Sequence, residues 1–202
     1  MQKDTESGTH IENESIRLAR DYLAGERRAF DELIRLHQRQ VFNLCFRFLG
    51  DYDEADDCAQ EVFIKVSRSL KGFRFDSAFG TWIYRIAVNT CKNRLNSLDY
   101  RLKARKIRID VETDMDQKSQ PVEIEDKSQS PAREVISKEL DRLIQRAINA
   151  LPARQKLVIV LRDIEGRSYE EIGEITGFKL GTVKSKLSRA REQLRESLKG
   201  MI

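Results

Sequence analysis

Histidine is all but missing from this chain. His10 and His37 are the only two in 202 residues, which removes most of the chemistry that a side chain titrating near neutral pH supplies. No glycine-rich phosphate loop, no G-x-G-x-x-G and no H-E-x-x-H occurs, so no constellation for catalysis is present. Cysteine is nearly as scarce. Cys45, Cys58 and Cys91 make an odd count with no C-x-x-C spacing, which argues against a disulfide framework and against a zinc site. Each lies among apolar residues at helical spacing and is read as a buried, reduced thiol of a cytosolic protein. The expectation is a non-enzyme with no catalytic residues, no cofactor and no metal. Long apolar runs are lacking too. None approaches the ~20 residues of a membrane helix, and the opening "MQKDTESGTHIENES" has no apolar stretch of a secretory signal. A cytoplasmic protein that does not insert into membranes is expected.

What the sequence has instead is helical periodicity. Hydrophobic residues make up 40% of the chain and charged residues 35%, a balance that suits helices with one packed face and one wetted face. With three prolines and ten glycines, long helices go unbroken. After a disordered N-terminus over residues 1–12, a first block spans 13–96. It contains a helix from about Phe30 to Leu49, a second with the stripe Ala55, Cys58, Ala59, Val62, Phe63, Val66 and Leu70, and a third from about Phe79 to Asn96. The spacing is that of i, i+3, i+4 recurrence. No alternating strand pattern of useful length appears, so the block reads as a helical bundle.

Residues 97–131 form a linker. It begins basic, with Arg101, Lys103, Arg105, Lys106 and Arg108, and turns acidic from Asp110 through Glu112, Asp114, Asp116, Glu123, Glu125 and Asp126. With little apolar content it buries too little to offset the entropy of ordering. A flexible tether is expected, one that lets the flanking units move independently in the free protein. The fold class is therefore all-α, two small helical domains joined by a flexible polar linker.

The second block spans 132–202. Pro152 stands where a helix begins, and "ARQKLVIVLRDIEG" is a short helix ended by Gly166. Ser168 and Glu171 form the S-x-x-E capping pattern of a new helix. Gly177 suits the left-handed position after it, and a last helix starts between Leu180 and Thr182. Helix, short turn with glycine, helix is a helix-turn-helix arrangement.

The last helix carries one apolar stripe, Val183, Leu187, Ala190, Leu194 and Leu198. Thr182, Ser185, Ser188 and Arg189 fall opposite it, flanked by Lys184 and Lys186. From Lys179 to Lys199 only Glu192 and Glu196 oppose seven lysines and arginines, the charge footprint of phosphate binding. A solvated helix held by pairs such as Glu192–Arg195 is the plainer reading, but it explains neither the turn nor the polar face. Upstream, "FRFDSAFGTWIYRIAVNTCKNRLN" interleaves aromatic residues with Arg74, Arg85, Lys92 and Arg94. Such mixtures suit single-stranded nucleic acid, since every base offers a π face and every nucleotide a phosphate. In "EADDCAQEVF", the stripe Ala55, Cys58, Ala59, Val62 and Phe63 leaves Asp53, Asp56, Asp57, Gln60 and Glu61 on the other side, a face suited to a basic partner helix. A stand-alone helix-turn-helix transcriptional regulator remains an alternative at this point.

The stretch "EADDCAQEVFIKVSRSLKGFRFDSAFGTWIYRIAVNTCKNRL" resembles the sigma2 domain of bacterial RNA polymerase sigma factors, above all those of the extracytoplasmic-function (ECF) group. "LPARQKLVIVLRDIEGRSYEEIGEITGFKLGTVKSKLSRARE" resembles that group's sigma4 domain. Together they cover about Phe30 to Leu198. The resemblance implies a sigma factor that directs core RNA polymerase to promoters, contacts its β′ clamp and β flap, and is held in check by an anti-sigma factor in a stress or envelope response. It implies polymerase docking through Asp53, Asp56, Asp57, Gln60 and Glu61. It implies minus-ten DNA contacts by Arg74, Asp76, Ser77, Ala78, Trp82, Tyr84, Arg85, Asn89 and Lys92. Asp76, Ser77 and Ala78 would line a pocket for a flipped base, and Trp82 would stand near the melting fork, with an ordinary core tryptophan as an equal alternative. It implies minus-thirty-five contacts by Tyr169, Thr182, Lys184, Ser185, Lys186, Ser188, Arg189 and Arg191. The chain departs from housekeeping sigma factors by Ile83, where they carry a second tryptophan, and by lacking a sigma3 domain.

Overall fold

The computed structural model describes residues 2–97 and 131–199, and side chains within 10–97 and 139–199. Among these residues every regular element is helical. The first unit holds α1 (Gln2–Leu23), α2 (Arg27–Leu49), α3 (Tyr52–Ser69), a single 3-10 turn (Leu70–Gly72) and α4 (Phe79–Asn96). The second holds α5 (Pro131–Asn149), α6 (Ala153–Ile159) running on into a π turn (Val160–Ile164), α7 (Tyr169–Thr176) and α8 (Leu180–Lys199).

Local chemistry places most of these ends. The Asp51 carboxylate accepts from the Glu54 amide at 2.9 Å and starts α3, satisfying a donor that has no partner within the helix. Ser168 and Glu171 form the full reciprocal capping box of α7. Gly177 ends that helix at φ 74°, where a residue with a Cβ would be strained. Gly50 ends α2 at φ 79° and has a second reason to be glycine. A Cβ there would lie 2.3 Å from the Asn149 side chain, so α5 can approach only a bare backbone.

The first unit's core is the predicted set of stripes. Leu33, Val41, Leu44 and Phe48 of α2 meet Ala55, Cys58, Val62 and Val66 of α3 and Ile83, Ala87 and Cys91 of α4, all at 5% exposure or less. Burying each Leu or Ile is worth roughly 1.5–3 kcal/mol, which makes this packing the main support of the bundle. The second unit packs Leu157, Val158, Val160 and Leu161 against Ile172, Ile175, Val183, Leu187 and Ala190.

Two expectations are corrected. Residues 2–12, read as part of a disordered N-terminus, lie within α1. At the end of this stretch the Glu12 carboxylate accepts from the backbone amides of Phe79 at 2.5 Å and Gly80 at 3.2 Å, at the start of α4, which anchors α1 to the bundle at that point. The two units, expected to be independent, share one hydrophobic cluster. Arg47 Nη1 donates to Gln145 Oε1 at 3.1 Å, Gln145 Nε2 donates back to the Arg47 carbonyl at 3.3 Å, and Lys156 Nζ donates to the Phe48 carbonyl at 3.3 Å. The linker expected over 97–131 lies, from 98 to 130, outside the described residues.

Candidate functional site

Three surfaces follow from this architecture. On α3 the stripe Ala55, Cys58, Ala59 and Val62 is buried, which turns Asp53, Asp56, Asp57 and Gln60 to solvent and leaves Glu61 half-buried. Gln60 Nε2 donates to Asp56 at 2.9 Å, which orders its amide along the helix. Arg94 of α4 reaches across to Glu54 at 2.5 Å, Asp57 at 3.0 Å and Glu61 at 3.9 Å. This arginine stood among the candidate nucleic-acid ligands in sequence, but here it braces the acidic face from behind. The exposed Ile64 adds apolar area to that face. It falls off the apolar stripe by one position, next to Phe63, so sequence reasoning assigned it no role.

The second surface is the loop 73–78 with the outward side of α4. Arg74 and Asp76 stand 85% and 71% exposed and pair at 3.2 Å. Ser77 is half-buried, while Ala78, Arg85 and Asn89 are exposed. Phe75, between them, takes φ 60°, a left-handed conformation that costs a non-glycine residue about 1–2 kcal/mol. Its ring is held against Phe73 at 4.7 Å and under the Arg20 guanidinium at 5.2 Å. The loop is thus fixed in a strained form that presents Arg74, Asp76 and Ser77 to solvent.

Two residues expected on that surface are placed elsewhere. Trp82 is 8% exposed, packed against Phe73 at 4.9 Å and Phe79 at 5.4 Å, because its position on α4 points at the aromatic cluster that closes the bundle. Tyr84 is 1% exposed. Its hydroxyl donates to Glu165 and its ring lies under the Arg167 guanidinium at 4.2 Å, both residues of the second unit. Burial first, then the neighbouring carboxylate, holds the Tyr84 hydroxyl above its usual range, so it stays protonated as the donor. Lys92 is half-buried with its ammonium 5.9 Å over the Phe178 ring, and burial lowers its pKa. The second unit therefore covers part of the α4 surface that sequence assigned to nucleic acid.

The third surface is α8. Burial of Val183, Leu187 and Ala190 leaves Lys184, Ser185, Ser188 and Arg189 exposed, with Thr182 and Lys186 partly so. Arg189 has no ion-pair partner among the described residues, and Ser185 donates to the Thr182 carbonyl at 3.1 Å. Arg191 is engaged otherwise. Its guanidinium makes a two-pronged bond to Asp163 at 2.9 and 2.6 Å, a geometry that fits arginine to carboxylate and ties α8 to the π turn. Tyr169 sits between two cations, the Arg162 guanidinium at 4.8 Å and the Lys184 ammonium at 5.9 Å from its ring. Serine and lysine side chains on an exposed helix behind a glycine turn form a polar, cationic ridge of the size that enters a major groove.

Comparison with known proteins agrees with this division. The family model of Sigma-70 region 2 matches residues 33–100, and that of Sigma-70, region 4 matches residues 141–194. The RNA polymerase sigma-H factor of Pseudomonas aeruginosa is 37% identical over 178 residues, covering 88% of this chain and 90% of that protein. The ECF RNA polymerase sigma factor SigW of Bacillus subtilis is 36% identical over 179 residues, covering 88% and 92%. Among solved structures, the sigma factor RpoE in its co-crystal with the anti-sigma factor NepR, from Bartonella quintana, superposes with a TM-score of 0.61 at 24% identity, over 84% of this chain and 96% of that one. At that identity the likeness concerns the fold.

Proposed function

The chain belongs to the extracytoplasmic-function group of the sigma-70 family, and on that premise we propose how its surfaces divide the work. As a sigma factor it binds core RNA polymerase and directs it to promoters. The acidic α3 face, Asp53, Asp56, Asp57, Gln60 and Glu61, docks a basic helical element of the β′ clamp. The loop 73–78, with Arg85 and Asn89 of α4, takes the minus-ten strand, where Asp76, Ser77 and Ala78 meet an unstacked base. The α8 ridge of Thr182, Lys184, Ser185, Lys186, Ser188 and Arg189 reads the minus-thirty-five element. The chain supplies no chemistry of its own, works in the cytoplasm, and is restrained by an anti-sigma factor that covers its docking faces. The second unit contacts the β flap.

The packing of α7 on α4 gives this reading a mechanical consequence. Tyr84 and Lys92 are engaged by Glu165, Arg167 and Phe178, so the arrangement described is a closed one. Engagement of two promoter elements far apart on DNA separates the units and frees that side of α4.

The observation that carries the reading is the exposed acidic face of α3, braced by Arg94 and set on the opposite side of its helix from the core stripe. Reversal of Asp53 and Asp56 to lysine tests it, because neither touches Arg94. Capture by core polymerase should be lost while the helical circular dichroism stays unchanged. Undiminished capture would refute the docking assignment.

A further inference from the structure

Cys45 of α2, Cys58 of α3 and Cys91 of α4 converge at one point inside the first unit. The Cys58 and Cys91 sulfurs are 3.6 Å apart, as are those of Cys91 and Cys45, and all three lie within 4.8 Å of one another. Each residue is 0% exposed. No imidazole or carboxylate of the described residues joins the group. Three thiols from three helices thus meet in an apolar core with no fourth His, Cys, Asp or Glu donor among the described residues.

Ligand chemistry narrows what such a group takes. A small soft ion about 2.3 Å from each sulfur requires sulfurs no more than about 4.0 Å apart. Two of the three separations, at 3.6 Å, meet this. The third, within 4.8 Å, comes into range with a shift of under about 1 Å, which a rotation of one thiol about its Cα–Cβ bond supplies. Thiolates select soft ions over hard ones. Zinc in a structural site takes four ligands, and this group offers three. Charge discriminates further. Three thiolates around a monovalent ion leave two net negative charges, and around a divalent ion one. An uncompensated charge in an apolar interior is strongly disfavoured. The nearby cation, Arg94, is already held by Glu54, Asp57 and Glu61. Only a trivalent centre gives a neutral complex.

We propose that Cys45, Cys58 and Cys91 form a three-sulfur binding site for a thiophilic trivalent metalloid of the arsenite class. Arsenous acid exchanges its three hydroxyls for three thiolate sulfurs. Three arsenic–oxygen bonds break, three arsenic–sulfur bonds form, the three thiol protons leave in three waters, and no electrons are transferred. The product ties α2, α3 and α4 together at their centre. Entry requires transient opening of the bundle, since no sulfur is exposed.

The test uses the full chain, reduced with a phosphine rather than a competing thiol, and titrated with sodium arsenite. The expected result is one arsenic per chain with three sulfur neighbours by X-ray absorption and a raised Tm, as for any ligand that binds only the native state. Cys45→Ala, Cys58→Ala and Cys91→Ala should each weaken binding by more than the roughly 100-fold that loss of a supporting residue costs a metal site, and each should abolish the Tm shift. The spectroscopy on the unmodified chain stands even where a variant fails to fold. Oxygen in the arsenic coordination shell, or the absence of stoichiometric binding by the unmodified chain, would overturn the proposal. So would binding that survives in a folded variant, or zinc taken up more tightly than arsenite.

Discussion

Tyr84 of α4 donates its hydroxyl to the Glu165 carboxylate at 2.5 Å, and this bond joins residues 81 positions apart in two different units. Glu165 follows the π turn and is buried enough for its carboxyl to be pushed above the usual range, burial being the main cause. The bond therefore closes the molecule with a partly desolvated acceptor, which makes it costly to lose.

Tyr84→Phe removes that donor while keeping the ring under Arg167. A hydrogen bond to a charged group contributes about 1.5–3 kcal/mol, so the contact between units should weaken by that order. Urea unfolding should show a lower midpoint, and small-angle scattering a larger radius at urea concentrations below unfolding. An unchanged midpoint and radius would mean that the hydrophobic cluster alone holds the units together.

His37 supplies a dependence on acid. It is 2% exposed, with its Nε2 2.7 Å from the Ser15 hydroxyl, which itself donates to the Ile11 carbonyl. Burial draws its pKa down to about 4, below the ordinary value of about 6.5. The native state thus binds fewer protons than the unfolded chain, so stability falls as pH drops from 6.5 toward 4 and is fully retained above 6.5. Each tenfold loss of proton affinity on folding corresponds to about 1.36 kcal/mol, which puts the fall in stability on the order of 3 kcal/mol. A His37→Met variant should show a flatter stability profile across that window in denaturant titrations. Parallel profiles would contradict the assignment.

Lys156 acts at the other end of the scale. It is 8% exposed, with Nζ 3.3 Å from the Phe48 carbonyl and 3.2 Å from Asn149 Oδ1, and burial lowers its pKa to about 8 from 10.5. Here too the native state holds fewer protons. The penalty is complete below pH 8 and is relieved as pH rises from 8 to 10.5. The unmodified chain should gain stability over that range relative to Lys156→Met, by roughly 3 kcal/mol at most. Thermal melts at pH 8 and pH 10 read the difference. A difference that stays constant between the two would show that Lys156 is charged throughout.

Arg189→Ala should weaken binding to a matched minus-thirty-five element by about 1–3 kcal/mol, with little effect on scrambled duplex. Its guanidinium is exposed and has no ion-pair partner among the described residues, unlike that of Arg191, which Asp163 holds. Arg191→Ala should instead lower the stability of the second unit. Equal losses on matched and scrambled DNA would reduce Arg189 to a phosphate contact.

The contrast between Arg189 and Arg191 shows what the sequence could carry. Features set by neighbours in the chain were legible: the Ser168–Glu171 capping box, the Gly177 turn, the bounds of α4, and the stripes of α3 and α8. Side chains that reach across to another helix were not. Arg94 reads as a DNA ligand until Glu54 and Asp57 are brought opposite it. Tyr84 reads as a strand contact until Glu165 and Arg167 cover it, and the open choice at Trp82 between a core residue and a base wedge is resolved only where Phe73 packs on it. Glu12 lies in a polar, ragged-looking terminus and caps α4 from 67 residues away. Cys45, Cys58 and Cys91 have no ligand spacing in sequence, because their meeting point is created by the crossing of three helices.

The most direct measurement is run-off transcription on a library of genomic fragments by core RNA polymerase, with and without the purified chain. The account predicts transcripts that require the chain and that start downstream of two shared sequence elements at a fixed spacing. The doubly substituted Asp53→Lys, Asp56→Lys chain should yield none. Transcription that does not depend on the chain would contradict the account, as would a chain that binds duplex tightly by itself and adds no start sites when polymerase is present.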